Sequence, residues 1–143
     1  RLSTGLYDAP TPAEVFQPLQ ALTSGAGELT LYAFEQEAIK RFGPRVPLRR
    51  IVQDRQQRVE ALQRLCQKYR VALPPLPVVK PVLPVSWNEL LRREVDLLVD
   101  NLRLYNQLLD SGPGHPDADR VLINLRQETL RGHLPKVLEE RWV

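Results

Sequence analysis

Residues 73–84 read LPPLPVVKPVLP, and no other stretch limits the fold of this chain so strongly. Its five prolines, Pro74, Pro75, Pro77, Pro81 and Pro84, each lack a backbone donor and hold φ near one value. The segment is therefore barred from helix and from central strand and is expected to run extended. Twelve extended residues reach about 37 Å, the length of a helix of about 24 residues. A connector of that reach lets the helix after it start at the same end of the molecule as the helix before it. The pattern predicts one all-α domain over residues 1–143. It comprises a helical hairpin at about 19–70, a crossover at 71–85 and a second hairpin at about 86–141.

The apolar periodicity supplies the four helices. Glu28, Leu31, Glu35, Ile39 and Phe42 recur at three- and four-residue steps, and Gly43-Pro44 stops that run. Two glutamates thus stand in an otherwise apolar line. Gly25 and Gly27 are expected to loosen or break the chain just before it. An earlier start is signalled by Thr11-Pro12 with Glu14, or by Pro18. The second helix, from about Pro47 to Tyr69, carries the stripe Ile51, Arg55, Arg58, Leu62, Leu65 and Tyr69, widened by Val52, Val59 and Cys66. The third opens on a capping box, Ser86-Trp87-Asn88-Glu89. It runs through Leu90, Leu91, Glu94, Leu97, Leu98, Asn101, Leu102, Tyr105, Leu108 and Leu109 to Gly112-Pro113-Gly114. The fourth starts at Pro116, with Asp117 and Asp119 in its first turn, and continues through Val121, Leu122, Leu125, Leu130, Val137 and Leu138. His133 falls within that pattern, and Pro135 predicts a bend or break beside it.

A 43% hydrophobic content over 143 residues is enough for a single core. The formal charge of +3 supports solubility without requiring a nucleic-acid partner. Arg41, Arg45, Arg49 and Arg50 cluster at the first hairpin turn, but without the interleaved aromatics of a stacking platform they read as a solvated surface. Cys66 has no second cysteine to pair with and is expected to act as a small buried apolar residue. His115, in a Gly-Pro loop, reads as solvated. Trp87 and Trp142, near helix ends, are expected to close one end of the bundle or serve an interface. Asp54 and Gln57 lie off the apolar stripe and read as surface. No apolar run approaches about 20 residues, so no membrane span is expected. The setting expected is cytoplasmic, and Arg1 in place of an initiating Met leaves room for a removed N-terminal targeting segment. Phosphate loops, nucleophile elbows and Cys/His zinc spacings do not occur.

A four-helix bundle with one long crossover is the ferritin-like arrangement. Its di-metal members use a glutamate from each of two helices and a Glu-x-x-His pair from each of the other two. The chain resembles a family of uncharacterised bacterial ferritin-like domains through three stretches, AIKRFGPRVPLRRIVQDRQQRVEALQRLCQKYRVALP, DNLRLYNQLL and NLRQETLRGHLPKVLE. In that family's pattern a Phe-Gly turn is followed by Ile-x-x-x-Glu-x-x-His, then by Tyr-Gly and a proline. Ile51, Leu62, Tyr69 and Pro74 match it, while Arg55 stands at the glutamate and Arg58 at the histidine. The resemblance further implies that Glu28 corresponds to the first-helix carboxylate and His133 to the last-helix imidazole. Leu98 and Leu130 then stand where the third- and fourth-helix glutamates would be. A register displaced by one turn brings Glu94 or Glu35 into play instead.

Arginine stays protonated and offers no acceptor, so Arg55 and Arg58 cannot ligate a cation. Either they snorkel outward from the edge of the stripe, or one of them pairs inside the bundle with Glu28 or Glu35. The reading favoured is a non-enzymatic ferritin-like bundle without a functional di-metal centre and without a cofactor. It would act through a protein partner or self-association, a homodimer being the simplest form. The competing reading is an iron or manganese oxidase or store using Glu28, Glu35, Glu94 and His133. A basic nucleic-acid-binding bundle ranks third.

Overall fold

The computed structural model describes residue 12 and residues 15–75, 80–112 and 114–141. Its ordered elements are all helical: α1 (Gln17–Thr23), α2 (Glu28–Phe42), α3 (Leu48–Lys68), α4 (Trp87–Asp110), α5 (Pro116–Glu128), a π-helical turn (Thr129–His133) and α6 (Leu134–Arg141). Because α5, the π turn and α6 follow one another without a gap, they act as one column, so four long columns and the short α1 make the described fold. The Thr11 start signal lies outside the described residues, whereas Pro18 falls in the first turn of α1.

Gly27 explains why α1 and α2 are separate helices. A Cβ there would stand 2.7 Å from the Ala21 carbonyl oxygen and 2.9 Å from that of Leu22, so only glycine lets the chain pass so close to the end of α1. Gly43, at φ 86°, ends α2 in a conformation that other residues avoid. The side chain of Ser86 accepts a hydrogen bond from the Glu89 amide at 3.2 Å and caps α4. Residues 71–75 and 80–84 are neither helix nor strand, in keeping with their prolines.

Side-chain partners fix how the columns run. Glu28 meets Asn101 and Tyr105 while Glu35 meets Glu94, so α2 and α4 are antiparallel. Arg58 reaches Leu125 and Glu128 while Lys68 reaches Asp117, so α3 and α5 are antiparallel. Two apolar clusters form along this frame. One gathers Phe16, Leu22, Leu62, Cys66, Leu108 and Leu122, the other Leu31, Phe34, Ile51, Leu90, Leu98 and Val137. Between them lie Arg55 and Arg58 along α3 and Asn101 along α4, while Glu94 sits within the second cluster between Leu91 and Leu98; all four are buried.

Two expectations are corrected here and a third is made specific. The bend or break expected near His133 takes the form of the π turn, in which the Leu134 amide donates to the Thr129 carbonyl five residues back. The widened turn keeps the column continuous past the proline ring. The extra residue also changes the phase, so Leu130 is 48% exposed rather than directed inward, and Thr129 is buried in its stead. His115, expected in solvent, stacks on Tyr69 with ring centroids 4.0 Å apart and is half-buried. Trp87 does close one end of the bundle, against Phe42 at 5.6 Å and beneath the Arg45 guanidinium at 4.2 Å. Trp142 lies outside the described residues.

Candidate functional site

Every polar side chain in the buried layer comes from a stripe position, which is why the layer is internal. Ile51, Arg55, Arg58 and Leu62 share one face of α3, and the flanking leucine and isoleucine carry the arginines inward with them. The guanidinium of Arg55 is completely buried. Its Nε and Nη2 donate to the two carboxylate oxygens of Glu35 at 3.0 Å each, and its Nη1 donates to Glu28 Oε1 at 2.8 Å. The first of these is the two-toothed geometry that suits a planar fork to a carboxylate. The other oxygen of Glu28 accepts from Tyr105 Oη at 2.8 Å and from Asn101 Nδ2 at 3.1 Å. Arg58 lies 3.5 Å from Glu28 through Nη1, donates from Nε to Glu128 at 2.8 Å and from Nη2 to the Leu125 carbonyl at 2.9 Å. Both arginines are thus interior, and the snorkelling alternative does not describe them.

The electrostatics follow from this packing. Burial alone would raise the Glu28 pKa, but the charges of Arg55 and Arg58 and the bonds from Arg55 and Tyr105 outweigh it and hold the group at about 2, below its ordinary 4.5. Burial opposes the charge on Arg55, yet Glu35 and Glu28 hold its pKa well above the usual value. Glu94 behaves in the opposite way. Neither of its oxygens has a donor from a neighbouring side chain, and it faces the Glu35 carboxylate. Burial, the charge of Glu35 and a hydrogen bond to Glu35 raise its pKa well above the ordinary range despite the pull of Arg55. Burial and the neighbouring Glu35 charge thus both favour the protonated form of Glu94 over a second carboxylate beside Glu35. Burial also raises the thiol of Cys66, which sits in the apolar cluster as expected.

The sequence-derived candidates separate into two groups. Glu28, Glu35, Arg55, Arg58 and Glu94 come together. Leu98 packs in the apolar cluster, and the buried carboxyl group on α4 is that of Glu94, one turn away. Leu130 faces solvent. His133 is buried but turns to other partners, with Nε2 3.0 Å from Asp54 Oδ2 and 3.9 Å from Glu128 Oε1. Burial and the charges of Arg58 and Arg55 lower its pKa, against the opposing effects of Asp54 and Glu128. Asp54, read from the sequence as plain surface, is the functional candidate that periodicity missed. Its i, i+3 spacing with Gln57 mimics a ligand pair, but the place off the apolar stripe reads as surface, and the partner that matters lies 79 positions away.

The central layer does not fit a di-metal centre. A bridging cation would need the lone pairs that Glu28 and Glu35 direct at Arg55, and a guanidinium in that position repels an ion instead of sharing it. Comparison with known proteins adds nothing to this picture: no family model, curated protein or solved structure matches the chain. Among the described residues no helix is long and apolar enough to cross a membrane.

Proposed function

We propose that the chain is a ferritin-like four-helix bundle in which an arginine–carboxylate lattice occupies the position of a di-metal centre, and that it serves as a non-enzymatic protein-interaction domain. Its natural relatives would be the uncharacterised bacterial ferritin-like domains that it resembles. The observation carrying this reading is Arg55, fully buried and bonded to both α2 glutamates. The long crossover at 71–85 is supported by its two ends. Tyr69, just past α3, stacks on His115 ahead of α5, while Trp87 at the start of α4 packs on Phe42 beside the α2–α3 turn. A segment joining those points traverses the length of α3, 21 residues or about 31 Å.

With Arg55, Glu28 and Glu35 bonded to one another, the work of such a domain falls to its outer surface, through a partner protein or a second copy of itself. Expression with added iron or manganese, followed by metal analysis, tests the reading. A chain without a dinuclear core carries no pair of ions per molecule. About two ions per chain, lost in Glu94→Gln, would overturn it and restore the oxidase or store. The same preparation run on a sizing column with light scattering reads self-association directly. The nucleic-acid reading has less support, since Arg45 rests on Trp87 and Arg50 leans to Asp54 at 4.0 Å. It would require binding that falls steeply with salt.

A further inference from the structure

The π turn is an uncommon piece of backbone, and such turns recur at functional sites. Its effect here is specific. Five residues of α-helix rotate by about 500°, which would leave Glu128 and His133 about 140° apart. Bonding from the Leu134 amide to the Thr129 carbonyl widens the turn, and Glu128 and His133 then face the same neighbour, Asp54 on α3. One donor atom from each of Asp54, Glu128 and His133 lies within 4.8 Å of the others.

We propose that Asp54, Glu128 and His133 form a mononuclear site for a first-row divalent cation, with zinc as the simplest occupant. Two donors that share a tetrahedral zinc at about 2.1 Å stand about 3.4 Å apart. The distances from His133 Nε2 to the Asp54 and Glu128 oxygens, 3.0 Å and 3.9 Å, lie on either side of that value. Adjustment of the two carboxylates, whose donor atoms lie within 4.8 Å of each other, would bring all three onto one ion. A mixed set of one imidazole and two carboxylates suits zinc, manganese or iron(II) rather than calcium or copper(I).

The remaining coordination positions open outward. All three residues line a cleft of about 510 Å³, whose other walls include Pro47, Lys136, Glu139 and Glu140, so an ion can enter with water still attached. His133 is 4% exposed and fixed by packing, while Asp54 and Glu128 are freer to adjust. Nearby cations oppose the ion, the charges of Arg58 and Arg55 on His133 and Lys136 in the cleft wall among them. Arg58 holds Oε1 of Glu128 at 2.8 Å, and Arg50 lies 4.0 Å from Asp54 Oδ1. A carboxylate has two oxygens and about four lone-pair sites, so Glu128 can serve Arg58 and a metal together. Their repulsion sets the expected affinity in the micromolar range, below that of a closed structural site.

The test is titration of the chelator-stripped full chain with Zn²⁺, together with Co²⁺ as a visible-spectrum probe, and circular dichroism to confirm each variant's fold. The expected result is one ion per chain, with affinity falling roughly tenfold or more in His133→Gln and in Asp54→Asn and unchanged in Glu94→Gln. Asp54→Asn replaces a partly exposed side chain, so it keeps the test sound if His133→Gln fails to fold. Absence of saturable binding, or binding that neither substitution weakens, overturns the proposal. Its failure is distinguishable from failure of the empty-core reading, which shows as two ions per chain and sensitivity to Glu94→Gln.

Discussion

Arg55 offers five N–H donors and no acceptor, and such a group is tolerated in a bundle interior only where carboxylates surround it. Glu35 receives two of its bonds and Glu28 one. The stabilisation is asymmetric: the desolvation of three charged groups offsets most of their attraction, but deleting one partner leaves the others buried without compensation. Arg55→Met should therefore lower the free energy of unfolding by about 3–5 kcal/mol, read from urea denaturation. Neutralising the stranded partners as well, in Arg55→Met/Glu28→Gln/Glu35→Gln, should recover most of that loss. A single variant as stable as the native chain would show that the lattice contributes nothing to the fold.

At the scale of elements, the close passage of α2 beneath the end of α1 depends on one hydrogen atom. Gly27→Ala places a methyl group 2.7 Å from the Ala21 carbonyl oxygen, and two backbones must separate to admit it. Thermal unfolding should register a loss of about 1–3 kcal/mol. Ser86→Ala, which removes only the cap of α4, should cost about 1 kcal/mol. These boundaries, like the long stripes of α3 and α4, were legible in the sequence because each rests on neighbours within a turn or two. The inward placement of Arg55 was legible for the same reason, since Ile51 and Leu62 fix the face of α3 it occupies. What local pattern could not express was the π turn and its consequences. One extra residue turns Leu130 out and Thr129 in, and it aims His133 at Asp54 rather than at the central glutamates. Proline signalled a disturbance at that point, but whether a helix breaks, bends or widens is decided by what packs against it. On α4 the buried carboxyl group is that of Glu94, one helical turn from Leu98 on the same face, and periodicity alone does not tell positions so related apart.

For the whole molecule, the polar layer between two apolar clusters makes stability depend on pH in two opposed ways. Glu28 has a folded pKa of about 2 against an ordinary 4.5. Its contribution is fully present above pH 4.5 and is lost as pH falls toward 2, a loss of about 3 kcal/mol over that window. Glu94 has a folded pKa well above 4.5, so its contribution is fully present below pH 4.5. As pH rises past that point the unfolded chain releases a proton that the folded chain keeps, and stability falls by about 1.4 kcal/mol per pH unit until the folded pKa is reached. The two slopes predict an optimum near the ordinary carboxylate pKa, with a decline on either side. Glu94→Gln separates them, because an amide can still donate to Glu35 but has no proton to lose. Urea midpoints measured from pH 3 to pH 9 should show that variant gaining on the native chain as pH rises, with no comparable gain at pH 4. An advantage of the same size at pH 5 and pH 8 would mean that Glu94 is ionised in the fold, and the layer would then carry one more negative charge than its arginines and donors are arranged to meet.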